Sequence, residues 1–168
     1  KKLFETSKEL GNEKGSLIFT GSDNDPRTIN TLLQMGFEEP DSIVKSIRNW
    51  HHGRYRATRS VRSREILTDL IPKLLNLISS TPFPDLSFKR FDGFLSKLSE
   101  GAQLFSLFQH NQTLLHLLTK IVGSAPNLSE FLLHNPHVLD IIITNQDNND
   151  VLTASKLEKD LKLQVSFS

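Results

Sequence analysis

Apolar residues recur at three- and four-residue spacing along most of this 168-residue chain. The strongest run lies between Arg62 and Ser80, where isoleucine and leucine follow one helical stripe for more than three turns. Pro72 lies inside this run and predicts a kink, because proline lacks an N–H and collides with the preceding turn. Only the segment "GSLIFTGS" resembles a strand, so the pattern does not favour a sheet of three or more strands.

Proline, glycine and asparagine divide the apolar stretches into a series of short helices. We predict helix ends at Gly36 and Gly123 and a new helix start at Pro126. Short connections make sequential helices pack against each other, and eleven phenylalanines with many leucines supply buried surface. The sequence therefore predicts an all-α fold, a bundle of six to eight short antiparallel helices with an irregular N-terminal arm.

Composition divides the chain into three parts. Residues 1–25 form the predicted arm, residues 26–143 the helical bundle, and residues 144–168 a polar loop with a weak terminal helix. The length suits one well-buried domain rather than two. The sequence starts at Lys1 without methionine, and we expect it to be a piece of a larger protein.

The stretch "GSDND" has two acids one residue apart, as in the metal site of a nucleotidyltransferase. Such a pair must project from one side of a rigid strand, with an apolar residue between the acids. Here Asn24 separates Asp23 from Asp25, and Pro26 follows. We therefore interpret Asp25 as the N-cap of a helix whose first residue is Pro26.

Composition excludes several classes of site. The chain has no cysteine, which rules out disulfides and agrees with a reducing cytoplasm. No apolar run reaches the roughly 20 residues that span a bilayer, so we expect no membrane partner. The six histidines lack ligand spacing, because His51 and His52 are adjacent and Pro136 interrupts the last pair. We predict no catalytic, cofactor-binding or metal-binding residue in this chain.

Arginine is concentrated between residues 48 and 64, beside aromatic residues. Guanidinium groups bind carboxylates and phosphates, and one helix face cannot present all six arginines. Three roles are open: ion pairs with Asp41, Glu65 or Asp69, docking to an acidic protein or neighbouring domain, and binding of nucleic acid. The net charge of +1 makes nucleic acid the least favoured. The candidate contact residues are Arg48, Trp50, Arg54, Arg56, Arg59, Arg62 and Arg64.

Five ordered blocks carry a resemblance to a known family. They are "GSLIFTG", "DPRTINTLLQMGF", "WHHGRYRATRSVRSREILTDLIPKLL", "FDGFLSKLSEGAQLFSLFQ" and "IVGSAPNLSEFLLHNPHVLDIII". Together they resemble the central region of bifunctional glutamine synthetase adenylyltransferase/deadenylyltransferases. The similarity runs through most of residues 3–143. In that family two nucleotidyltransferase domains flank a helical middle, and they attach or remove AMP at a tyrosine of glutamine synthetase.

The resemblance implies that this chain is the non-catalytic linker and regulatory domain of such an enzyme in nitrogen regulation. It implies Mg²⁺ and ATP as cofactors of the parent enzyme, with none held by this section. The implied partners are the flanking domains, glutamine synthetase and the PII signal protein. The alternative is a free-standing helical module that binds an acidic protein or RNA through its arginine-rich segment.

Overall fold

The computed structural model describes Phe19, residues 24–135 and Val138. These residues form seven α-helices and one 3-10 turn, and they contain no β-strand, which confirms the all-α prediction. The 3-10 turn covers Arg56–Thr58, between the second and third helices. The helices are α1 (Pro26–Met35), α2 (Pro40–His51), α3 (Val61–Ser79), α4 (Pro84–Lys97), α5 (Ala102–His110), α6 (Gln112–Ser124) and α7 (Pro126–His134).

Helix α1 begins and ends as its local sequence predicts. The Asp25 carboxylate accepts a hydrogen bond from the backbone N–H of Arg27 at 2.7 Å, and Pro26 occupies the first helical position. A hydrogen bond from the Arg27 side chain holds the pKa of Asp25 below its usual value. Gly36 ends the helix in a left-handed conformation, with φ of 103°. The interpretation of Asp25 as a cap is confirmed, whereas Asp23 lies outside the described residues.

Helix α3 lies at the centre of the bundle and contacts α4, α5 and α6. Its buried stripe contains Ile71, Leu74, Leu75 and Ile78, each at most 1% exposed. Large aromatic side chains from the surrounding helices complete the core, with Phe91, Phe105 and Phe108 almost fully buried. The helix runs from Val61 to Ser79 without interruption at Pro72, and the kink stays a prediction.

The predicted helix end at Gly123 is found one residue later, and Gly123 is not the left-handed cap that the prediction implied. Helix α6 continues to Ser124, and Gly36 and Gly53 are the only described glycines with positive φ. Gly123 is buried instead against Thr81, where an added Cβ would lie 2.8 Å from the Thr81 Cβ. A close approach between helix and loop therefore explains this glycine, whereas Pro126 begins α7 as predicted.

Other predictions fall largely outside the described residues. These are the arm before Asn24, apart from buried Phe19, and the segments beyond Asn135, apart from buried Val138. The three-part division of the chain stays a prediction. None of the helices in the described part combines the length and apolar character required to cross a membrane.

Candidate interaction surface on the arginine-rich segment

The arginine-rich segment, residues 48–64, turns a corner between two helices. The chain leaves α2 at Gly53, whose φ of 66° is one that L side chains rarely adopt. It then passes through the 3-10 turn and enters α3 at Ser60, whose hydroxyl accepts a hydrogen bond from the Ser63 N–H at 3.1 Å. The arginines are therefore divided among a helix end, a connecting turn and a helix start.

Two aromatic residues anchor the segment to α4 through the carboxylate of Asp92. Trp50 is 1% exposed, and its ring stacks on Phe88 with centroids 5.4 Å apart. Its Nε1 donates to Asp92 at 2.8 Å. The hydroxyl of Tyr55 donates to the same carboxylate at 3.0 Å. Trp50 thus has a role inside the core, and its ring does not present a face for stacking with a partner.

Burial changes the pKa of two side chains in this segment. Desolvation, with the charge and hydrogen bond of Asp92, raises the pKa of Tyr55 to about 12. Desolvation also lowers the pKa of His51 to about 4, helped by the positive charges of His52 and Arg64. At pH 7 the Tyr55 hydroxyl therefore carries its proton and His51 is neutral.

Arg64 holds the connecting turn against α3. Its Nη1 donates to the carbonyl of Thr58 at 2.9 Å and to the carbonyl of Arg59 at 2.6 Å. These bonds satisfy backbone acceptors at the end of the 3-10 turn. Arg64 is half-buried and acts inside the fold, and Arg48 is half-buried on α2.

Four of the candidate residues are exposed: Arg54, Arg56, Arg59 and Arg62. Their side chains make no ion pair or hydrogen bond within the part of the chain that the structure describes. They are consequently not paired with Asp41, Glu65 or Asp69, the acids considered from the sequence. Asp41 instead accepts a hydrogen bond from Asn24, and burial and the charge of Glu65 raise the pKa of Asp69.

These four exposed arginines, which we term the arginine surface, lie within residues 54–62. Arg56 and Arg59 are three residues apart across a 3-10 turn, where such side chains eclipse each other. Arg62 lies in the first turn of α3, which contains no acidic residue to offset the positive helix end. The arginine surface can therefore bind carboxylate-rich partners by charge-assisted hydrogen bonds.

Sequence reasoning missed Asp92, which organises the segment without belonging to it. The available signal was an acid between Phe91 and Phe94, on a helix that otherwise buries aromatic side chains. Such an acid needs partners, because a buried carboxylate without hydrogen bonds is unstable. No group of three or more histidine, aspartate or glutamate side chains in the described ranges is placed to hold a metal ion.

No family model and no solved structure matches this chain. Curated relatives do match, and each is named "Bifunctional glutamine synthetase adenylyltransferase/adenylyl-removing enzyme". The Brucella melitensis relative is 47% identical over 160 residues, covering 95% of this chain and 16% of that protein. The Rhizobium meliloti relative is 49% identical over 138 residues, covering 82% of this chain and 14% of that protein. The Caulobacter vibrioides relative is 41% identical over 142 residues, covering 84% of this chain and 14% of that protein.

Proposed function

We propose that this chain is the helical linker between the catalytic domains of a bifunctional glutamine synthetase adenylyltransferase/adenylyl-removing enzyme. The chain is homologous to about one sixth of the length of these enzymes. In this role it performs no chemistry itself. It holds two active sites in a fixed relation and transmits effector binding by a shift in helix packing. The effectors that the family resemblance implies are glutamine and the PII signal protein.

The roles of the acids in this section support a non-catalytic function. Nucleotidyl transfer requires carboxylates that hold Mg²⁺ against a triphosphate. Asp25 caps α1, and the carboxylate of Asp92 accepts bonds from Trp50 and Tyr55. Asp25 and Asp92 thus have structural functions, and ATP and Mg²⁺ would be held by the flanking domains of the parent enzyme.

The observation that carries the proposed contact is the exposure of four arginines on an anchored corner. Tyr55 and Arg64 fix the chain on both sides of the 3-10 turn. A surface that is already ordered loses little conformational entropy when it docks. We assign the arginine surface to contact with an acidic face of a flanking domain or of PII.

A binding experiment tests this assignment. The two flanking parts of the Brucella melitensis relative are expressed as separate chains, and binding of the present chain to each of them and to the PII protein is measured by calorimetry at several salt concentrations. We expect the affinity to fall as the salt concentration rises. The double substitution Arg54→Glu and Arg56→Glu should lower the affinity by about tenfold or more. The matched control is Lys45→Glu with Lys97→Glu, which reverses two exposed charges elsewhere. Equal weakening by both pairs, or no binding, contradicts the assignment.

Two further assays separate this proposal from other classes of function. Incubation of the chain with ATP, Mg²⁺ and glutamine synthetase should transfer no AMP, and detectable transfer would contradict a non-catalytic role.

For the alternative of a free-standing RNA-binding module, RNA is titrated at increasing salt. Binding of RNA with a steep salt dependence, lost in the Arg54→Glu and Arg56→Glu variant, would favour that alternative.

A further inference from the structure

A second surface, which the proposed function does not use, lies between the start of α2 and the first turns of α4. Two adjoining cavities, of about 240 and 270 Å³, share Glu38, Asp85 and Leu86 in their walls. They extend from Phe83, the residue before α4, to Asp92, nine positions further along the chain. At a rise of about 1.5 Å per residue this groove is roughly 13 Å long, or about two and a half helical turns.

One end of the groove is apolar and open to solvent. Phe83 is 68% exposed, more than any other large apolar side chain in the described part, and Leu86 is 44% exposed. Pro82 and Pro84 line the same cavity. An exposed phenylalanine beside a second exposed apolar residue and two prolines forms a contiguous patch, and such patches mark interaction sites.

The second cavity is acidic, and it shares Glu38 and Asp85 with the first. Its lining contains four carboxylates, those of Glu38, Glu39, Asp85 and Asp92, and one ammonium group, that of Lys89. Glu38 and Glu39 are exposed, whereas Asp85 and Asp92 are partly buried in the wall. A groove with this excess of negative charge attracts cations and repels acidic segments.

Hydrogen bonds to the backbone make the groove a rigid feature. The two carboxylate oxygens of Asp85 accept bonds from the N–H groups of Glu38 and Glu39, at 2.8 and 2.9 Å. These bonds join the first turn of α4 to the start of α2, which has no side-chain cap of its own. At the opposite end, Asp92 is held by Trp50 and Tyr55. Both walls are thus fixed before any partner arrives.

We propose that this groove binds a basic amphipathic helix, which inserts an apolar side chain beside Phe83 and Leu86 and places lysine or arginine over the exposed carboxylates of Glu38 and Glu39. Charge complementarity argues for this occupant, because the exposed carboxylates of Glu38 and Glu39 attract a basic segment and repel an acidic one. The groove length suits the two to three turns that such helices bury when they dock in grooves. The inference stands independently of the proposed function, since it uses none of the four arginines of the arginine surface.

A peptide-display selection on the full 168-residue chain tests the proposal. The probe is a library of random 14-residue peptides, selected in parallel on the unmodified chain and on the variant Phe83→Ser with Leu86→Ser. The matched control is Val61→Ser, which removes an apolar side chain that is 61% exposed outside the groove. Because all three residues are exposed, circular dichroism should show unchanged helix content in both variants.

We expect enrichment of peptides that carry apolar residues at helical spacing with several lysines or arginines. Their affinity should fall by about tenfold or more with Phe83→Ser and Leu86→Ser, and with Glu38→Lys and Glu39→Lys, and stay unchanged with Val61→Ser. Enrichment of acidic peptides, or no difference between the selections, overturns the proposal. The proposal is also overturned if the chain associates with itself and Phe83→Ser with Leu86→Ser abolishes that association. The occupant of the groove is then a second copy of the chain.

Discussion

The hydroxyl of Tyr55 contacts both carboxylate oxygens of Asp92, at 3.0 and 3.1 Å. Tyr55 lies in the connection after α2, whereas Asp92 lies in the middle of α4. The contact therefore ties the arginine-rich segment to the bundle at a point 37 residues further along the chain. With the bond from Trp50 to the same carboxylate, it explains how an exposed loop of arginines is held in one conformation.

Replacing Asp92 with alanine should destabilise the protein. The change leaves the buried Trp50 N–H without an acceptor, at about 1–3 kcal/mol, and it also removes the hydrogen bond of the half-buried Tyr55 hydroxyl. Urea unfolding followed by the fluorescence of the single tryptophan measures the free energy of unfolding. Asp92→Asn keeps an acceptor oxygen and should lose less stability than Asp92→Ala. Equal stability of Asp92→Ala and the unmodified chain would refute the anchoring role.

Stability should also fall at high pH because of Tyr55. Its pKa is raised from 10.0 to about 12, so the folded state favours the protonated hydroxyl. The contribution of Tyr55 to the free energy of unfolding is complete below pH 10 and is lost as the pH rises through 12. The reason is that the unfolded chain releases the hydroxyl proton at a lower pH than the folded chain. The chain has one tyrosine, so tyrosinate absorbance reports a single site. Absorbance that titrates near pH 10 in the folded protein would contradict the predicted shift.

Removing the Arg64 side chain should loosen the 3-10 turn. Arg64→Ala deletes the donors to the carbonyls of Thr58 and Arg59. Trypsin cleaves after arginine in accessible, mobile backbone, so we expect faster cleavage after Arg56 and Arg59. Arg62→Ala is the matched control, because that arginine is exposed and makes no hydrogen bond or ion pair within the described residues. The same acceleration in both variants would argue against a positioning role for Arg64.

Two glycines should respond in opposite ways to alanine. A Cβ on Gly123 would overlap Thr81, and the resulting overpacking should destabilise the fold by about 1–3 kcal/mol. Gly93 lies inside α4, where an added Cβ would meet Leu133 at an ordinary 3.5 Å. Gly93→Ala should therefore leave stability unchanged or raise it by up to about 1 kcal/mol. Thermal unfolding of both variants measures the difference, and equal effects would contradict the packing explanation.

Features that depend on neighbouring residues were predictable from the sequence. The cap at Asp25, the start at Pro26 and the end at Gly36 are set by backbone chemistry within a few residues. The helical spacing of Ile43, Ile47 and Trp50 likewise predicts one buried stripe on α2, as found.

Features that depend on distant residues were not predictable. Gly123 follows the pattern of a helix end, but its surroundings are set by Thr81, 42 positions earlier. Trp50 is followed by histidine and arginine, which suggested a partner contact, whereas its bond to Asp92 requires the folded bundle. Which arginines are exposed depends on the 3-10 turn, and periodicity does not predict such turns.

A complete enzyme allows the most direct test of a regulatory contact made by the arginine surface. A chimera carries this chain in place of the matching section of the Brucella melitensis relative, and the ratio of effector-stimulated to basal AMP transfer is measured with glutamine and PII. We predict that Arg54→Glu with Arg56→Glu leaves the basal rate intact and lowers this ratio by about fivefold or more, whereas Lys45→Glu with Lys97→Glu changes neither. An unchanged ratio in the arginine variant would contradict a regulatory contact, and so would loss of basal transfer with the fold preserved.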